Sequence, residues 1–259
     1  MGNQELLINI ENSIATLTIN RPKYGNALSK DNYRAIMEAM KSFEDNEEVR
    51  VIIITSTGDN FSAGGDVTQF KVAIETKTHI PCDTVRETGY MIEAIIKNKK
   101  PVIAAVEGFA VGAGFGLAMA CDFIIVGESS RLIPGFSNMG LPGDTGLIYR
   151  LYRAIGSFRT RRHLMLNETI NASLAKEYGL AYDVVPDQTV YPTALKLAQK
   201  LAQGPYIAYA YQKEMMATIE YPALDEFNQL EAKYMHEASK QANHFEAVEA
   251  FLNKRQPNF

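Results

Sequence analysis

The chain contains no tryptophan and only two cysteines, Cys82 and Cys121, which lie far apart and form no CxxC pair. Its four histidines, at 79, 163, 236 and 244, do not share the spacing of a metal cluster. A disulfide framework and a zinc site built on Cys and His are thereby excluded, and both thiols are expected to be reduced. No single sign of charge prevails: 26 Lys and Arg stand against 30 Asp and Glu, for a formal net charge of −4. Without a basic stripe there is no field to hold nucleic acid. The longest apolar stretch, about 103–119, carries Glu107 and four glycines, so it is too short and too broken to cross a bilayer. Residues 1–6 show neither the basic region of a signal peptide nor the Ser or Thr of a myristoylation signal. A soluble, cytoplasmic protein with no membrane partner and no nucleic-acid partner is expected.

At 259 residues and 46% apolar content, the chain can bury a full core without metal or disulfide staples. Its first part alternates strand and helix patterns. Segments 6–10 and 14–19 are β-rich and are separated by Glu11-Asn12-Ser13, which reads as a hairpin. Over 29–43 the apolar residues Tyr33, Ile36, Met37, Met40 and Phe43 recur at helical spacing behind Ser29, a fitting N-cap. Segments 51–55, 102–106 and 123–126 are runs of β-branched or small apolar residues, the mark of strands buried on both faces. Helices are expected near 84–97, over the Gly/Ala-rich stretch after 112, and over 147–154. After residue 190 the pattern is helical throughout, over 191–201, 205–216, 223–239 and 244–253. The expected fold class is α/β, with a core over 1–190 and a helical segment over 191–259.

Chemistry concentrates in two turns that follow buried strands. The first is Asn60-Phe61-Ser62-Ala63-Gly64-Gly65-Asp66-Val67, where small residues let a ligand approach backbone N–H groups. The second is Glu107-Gly108-Phe109-Ala110-Val111-Gly112-Ala113-Gly114-Phe115-Gly116, which opens a helix and exposes its free N–H groups. Its glycines are spaced GxGxG, not the GxGxxG of dinucleotide folds, and no P-loop occurs. Two such turns can present two convergent backbone donors, the geometry of an oxyanion hole.

These two turns, with Arg21-Pro22-Lys23-Tyr24-Gly25-Asn26-Ala27-Leu28 ahead of them and 250–257 at the end, make the chain resemble the crotonase (enoyl-CoA hydratase/isomerase) superfamily over essentially its whole length. The resemblance implies a spiral of ββα units with a helical C-terminal segment that mediates trimerisation, often as a hexamer of two trimers. It also implies an acyl thioester of coenzyme A or of an acyl carrier as substrate, with no further cofactor and no metal. Transferred residue by residue, the family's two oxyanion donors are expected at Ala63 and Ala113. Ala63, Gly64, Gly65 and Asp66 would line the coenzyme A channel, and Phe251 and Lys254 match C-terminal positions that touch it. The C-terminal helices carry apolar residues for a partner surface, among them Leu224, Phe227, Leu230 and Met235.

Membership does not select the reaction. The two glutamates of the family's hydratases would fall at Gly116 and Phe136, neither of which titrates, so hydration of the usual kind is not expected. Asp144, in Met139-Gly140-Leu141-Pro142-Gly143-Asp144-Thr145-Gly146, resembles the single acid/base of a group of family isomerases that shift a 3-enoyl double bond to carbon 2. Asp144 could equally be the N-cap of the helix over 147–154. A second enzyme reading pairs Lys71 and His236, which resemble the cationic groups of family decarboxylases acting on glutaconyl-type thioesters. Val67 stands where those enzymes have tyrosine. A third takes Asp144 as the nucleophile of a nucleophilic hydrolase on an acyl thioester, since it matches the nucleophilic Asp of an aryl-thioester dehalogenase of the family, with Glu93 where that enzyme has histidine. A non-catalytic, RNA- or protein-binding member is the remaining class. The stretch 70–84, with Lys71, Lys77, His79, Pro81 and Cys82, is expected to form the variable wall of the acyl pocket.

Overall fold

A computed structural model of the chain describes residues 5–76 and 78–259. The readings at residues 1–4 and at Lys77 lie outside the described residues. The chain opens on β1 (Leu6–Glu11) and β2 (Ile14–Ile19), an antiparallel hairpin whose turn residues Asn12 and Ser13 both have positive φ. Such a turn twists with the strands it joins. Helix α1 (Lys30–Asp45) follows, closed at its start by a capping box in which Ser29 and Asn32 exchange hydrogen bonds. Next come β3 (Val51–Ser56), α2 (Val67–Glu75), α3 (Cys82–Ile96), β4 (Val102–Val106), β5 (Phe109–Val111) and α4 (Ala113–Met119). The chain continues through β6 (Phe123–Gly127), β7 (Arg131–Ile133), α5 (Leu147–Met165), β8 (Ile170–Asn171), α6 (Ala172–Glu177) and β9 (Asp183–Val185). Four helices end it, with no strand between them: α7 (Val190–Ala202), α8 (Tyr206–Glu220), α9 (Leu224–Ala238) and α10 (Ala242–Leu252).

Six strands form the main sheet in the order β1-β2-β3-β4-β6-β9, parallel from β2 onward. A small second sheet, β5-β7-β8, stands beside it. This is the mixed α/β architecture expected from the sequence. The central strands are buried on both faces, and the strand period of two divides their side chains between two cores. Ile52, Ile54, Val102 and Ala104 face α1 and α3, whereas Val51, Ile53, Ile103 and Ala105 face α7, which meets them with Val190, Ala194 and Ala198. Helix α7 therefore covers one face of the sheet directly. Helix α9 packs along α3, and α10 lies against α2.

The expected elements recur with four additions. Helix α2, helix α6, strand β9 and the second sheet are short, and their periodicity is below what a sequence pattern resolves. Helix α5 runs far past residue 154 and bends at Gly156, where φ is +78°. One expectation needs correction. Leu224 and Met235 are buried within the chain, so only part of the stripe named for a partner surface is available to a partner. The exposed apolar face lies instead on α8, where Ile207, Tyr211, Met215 and Ile219 recur every four residues. No helix among the described residues is long and apolar enough to cross a membrane.

Candidate active site

The segment 21–28 forms the frame of the site. Asn26, buried and in the left-handed region, donates from Nδ2 to the carbonyls of Thr57 and Asn60, each at 2.7 Å. Arg21 reaches the carbonyl of Ala27 at 2.5 Å and the carboxylate of Asp66 at 3.0 Å. Together they tie the strand exit after β3 to the start of α1. The glycine-rich turn is held on both edges. Ser62 pairs with the β5 backbone, its N–H donating to Phe109 at 3.0 Å, while Val111 N–H returns to Ser62 at 2.9 Å. On the other edge Leu28 N–H donates to Gly64 at 2.7 Å, and Asp66 N–H donates to Leu28 at 3.1 Å. Gly64 has φ +92°, and a Cβ there would stand 2.7 Å from the carbonyl oxygen of Val111. No other residue allows the turn to lie this close to β5.

This weave decides which N–H groups are free. The Ala63 N–H donates to the carbonyl of Gly25 at 2.8 Å, so Ala63 is not an available donor. The expectation that placed the first oxyanion donor at Ala63 is corrected: the frame strap takes that N–H. Gly65, two residues on, pairs with Leu28 only through its neighbours' groups, and its own N–H has no partner among the described residues. Ala113 is the first residue of α4, and its N–H is likewise unpaired, as helix geometry requires. Gly112 makes the entry possible with φ +50°, and Gly114 lets α4 seat against Ser62, whose Cβ would lie 2.6 Å from a Cβ at 114.

Gly65, Ala113 and Asp144 line one cavity of about 400 Å³. Ala63, Gly64, Asp66 and Phe136 line it too, and Phe251 stands at its mouth with Leu252. Lys254, just past α10, does not line it. The wall expected over 70–84 contributes Phe70, Ile80 and Thr84, continued by Val85 and Thr88 on α3. This wall of the cavity is thus mainly apolar. Among the described residues no group of His, Cys, Asp and Glu is placed to hold a metal ion.

Asp144 is 8% exposed, and its Oδ1 has no hydrogen-bond partner. Burial pushes its carboxyl up to about 7, against a smaller downward pull from the Thr145 hydroxyl. It is not a helix cap: Gly146 occupies that position of α5, and no side chain caps it. The turn carrying Asp144 is strained, with φ of +132° at Gly143, +59° at Thr145 and +60° at Gly146. A β-branched residue with positive φ costs on the order of 1–3 kcal/mol and persists only where its surroundings hold it. Asp66, in the same cavity, goes the other way. Burial raises its carboxyl, but hydrogen bonds from Thr68 and the Arg21 guanidinium outweigh this and hold it below the usual carboxylate range. Two carboxyl groups driven apart mark distinct roles: Asp66 is the N-cap of α2 and stays charged, while Asp144 is poised to exchange a proton near neutral pH.

The remaining candidates do not converge here. Lys71 is exposed, 3.6 Å from Glu75 on its own helix. His236 binds the carbonyl of Ile80 through Nδ1 at 2.8 Å, and neither of the two lines the cavity. Glu93 is engaged by Asn228 and Lys97, each at 3.0 Å. At Gly116 a Cβ would overlap the Thr145 hydroxyl and lie 2.7 Å from Thr145 Cβ, so no glutamate fits beside this turn as it stands.

Three site residues escaped the sequence reading. Tyr33 lines the cavity beside Gly65 although its spacing marked it only as core. Arg150 and Glu231 lie behind the Asp144 turn, 1% and 5% exposed. A signal was present: each is a charged residue on the buried stripe of its helix, Arg150 with Leu147 and Leu151, Glu231 with Leu224 and Met235.

The family profile described as enoyl-CoA hydratase/isomerase matches residues 9–259. The chain is 32% identical, over 98% of its length and 97% of the relative's, to 1,2-epoxyphenylacetyl-CoA isomerase of Escherichia coli K12. It is 30% identical to trans-2-decenoyl-[acyl-carrier-protein] isomerase of Streptococcus mutans, over 100% and 99% of the two chains. Its fold superimposes on the crystal structure of an enoyl-CoA hydratase from Mycobacterium avium subsp. paratuberculosis with a TM-score of 0.90, at 27% identity and 98% coverage of both chains.

Proposed function

The chain belongs to the enoyl-CoA hydratase/isomerase family, and from that premise we propose that it is a 3-enoyl to 2-enoyl thioester isomerase using one carboxylate. The observation that carries this reading is the buried carboxyl of Asp144, whose Oδ1 has no partner among the described residues, in the same cavity as two free backbone donors, Gly65 and Ala113. Asp144 takes the proton from carbon 2 of the acyl chain. The dienolate oxygen is held by the N–H groups of Gly65 and Ala113, a contribution of about 3 kcal/mol for each donor in comparable sites. The same carboxyl returns the proton to carbon 4. One titrating group suffices, so the absence of carboxylates at 116 and 136 is no obstacle. The substrate is an acyl thioester of coenzyme A or of an acyl carrier, with the pantetheine arm passing Phe251. Of the relatives, the trans-2-decenoyl-[acyl-carrier-protein] isomerase is named for an enoyl thioester isomerisation, and the 1,2-epoxyphenylacetyl-CoA isomerase for isomerisation of another coenzyme A thioester. Lys71 is exposed and paired with Glu75, His236 is engaged by the Ile80 carbonyl, and neither lines the cavity, which leaves the decarboxylase reading without its cations.

The test is a panel of 3-enoyl, 2-enoyl and glutaconyl thioesters followed by mass spectrometry and NMR in deuterated buffer. Interconversion of 3-enoyl and 2-enoyl species with exchange at carbons 2 and 4 is expected. Release of carbon dioxide, or formation of a 3-hydroxyacyl product as the main reaction, would replace the proposal. The protein is further expected to be a trimer or a pair of trimers, since the apolar face of α8 is exposed among the described residues. Light scattering that finds only a 28.8 kDa species at micromolar concentration would contradict it.

A further inference from the structure

We propose that Glu231, on α9 in the C-terminal helical segment, is the positioning residue that holds the Asp144 turn in its working conformation. The inference rests on the reading of Asp144 as the base. Glu231 Oε2 accepts the Gly146 N–H at 2.9 Å, and this is the last residue of the strained turn. From the opposite side Arg150 Nη2 donates to the carbonyl of Thr145 at 2.8 Å and to that of Gly116 at 2.5 Å. The single Thr145–Gly146 peptide group is therefore gripped at both its C=O and its N–H by two buried side chains, the Arg150 guanidinium and the Glu231 carboxyl. Neither lines the cavity, so neither touches substrate.

A role in general stability does not account for this arrangement. The hydrogen bond of Glu231 to Gly146 ties the buried face of α9 to a turn with positive φ at three of four residues. Buried Oε1 has no partner, and such a carboxyl is costly to keep where an apolar side chain would pack as well. What the carboxyl adds is an acceptor placed on the Gly146 N–H. Without it the turn can relax toward ordinary φ values, which would carry the Asp144 carboxyl away from the donors of Gly65 and Ala113. A displacement of about 1 Å is enough to lower turnover by a factor on the order of 100.

The test compares Glu231→Met, which fills the space without an acceptor, Glu231→Ala, and Glu231→Gln, whose amide oxygen still accepts from Gly146. Asp144→Asn is assayed beside them. For Met or Ala, whichever yields folded protein, kcat is expected to fall about 30-fold with KM changed less than about threefold. Glu231→Gln should retain most of the turnover. Hydrogen exchange in the full-length protein should quicken over 141–150 and stay as in the parent elsewhere, whatever the catalytic result. Unchanged exchange over that segment in a folded Met or Ala variant overturns the clamp, as does a Gln variant no better than Met. If Asp144→Asn is fully active, the reading of Asp144 fails instead. If Asp144→Asn is inactive while Glu231→Met turns over normally, only the clamp is lost.

Discussion

Asp144→Asn is expected to lower isomerisation of a 3-enoyl thioester by a factor of about 100 or more, with acyl thioester binding changed only a few-fold. Asn keeps the size of the side chain and its place in the turn but cannot accept a proton. In the parent, activity should follow ionisation of this one group. The carboxyl is raised to about 7 by burial, so kcat/KM is expected to rise about tenfold per pH unit below 7 and to level off above it. The same shift bears on stability with the opposite sense. An unfolded Asp ionises near about 4, so between about 4 and 7 the folded state binds the extra proton. The Asp144 contribution to stability is complete below the unfolded pKa and is lost as pH rises through the folded one. Replacing it by Asn removes that loss. At pH 8 the variant should melt several degrees above the parent, and at pH 4 the two should be close, as scanning calorimetry can read. An Asn variant that isomerises as fast as the parent would remove Asp144 from the reaction.

Gly116→Ala carries the second large effect. The added methyl overlaps the Thr145 side chain, whose χ1 is restricted by branching and whose hydroxyl donates to the Asp144 carbonyl at 2.6 Å. Thr145 cannot yield without moving the residue before it, because Arg150 fixes its carbonyl. Overpacking of this kind costs about 1–3 kcal/mol, and here it also displaces the turn that carries the proton-transfer group. A drop of at least tenfold in isomerisation and a lower melting temperature are expected together. For the same reason the double change Gly116→Glu and Phe136→Glu should not produce a hydratase, and no 3-hydroxyacyl product should form. Normal stability and activity in Gly116→Ala would show that the turn has more freedom than its contacts imply.

The fold was legible in the sequence because its central strands and long helices have strong periods. The runs at 51–55 and 102–106 could only be strands covered on both sides, and Ser29 and Asn32 form the start of α1 from local chemistry alone. The unfilled hydratase positions were equally plain, since Gly116 and Phe136 cannot titrate in any fold. The family resemblance also singled out Asp144. It left open whether that carboxyl caps a helix or faces a cavity, because capping depends on the φ and ψ of the turn.

Tertiary structure decided the rest. Ala63 and Gly65 have equivalent N–H groups in the sequence, and only the arrival of the Gly25 carbonyl removes one of them from use. Glu231 and Arg150 act on a turn far from Glu231 along the chain, so no local pattern announces the grip, although each breaks the apolar stripe of its own helix. A sequence specifies which atoms can donate, accept or titrate. Which of them remain unpaired, and how far burial shifts a carboxyl, depends on neighbours brought in by packing from distant segments.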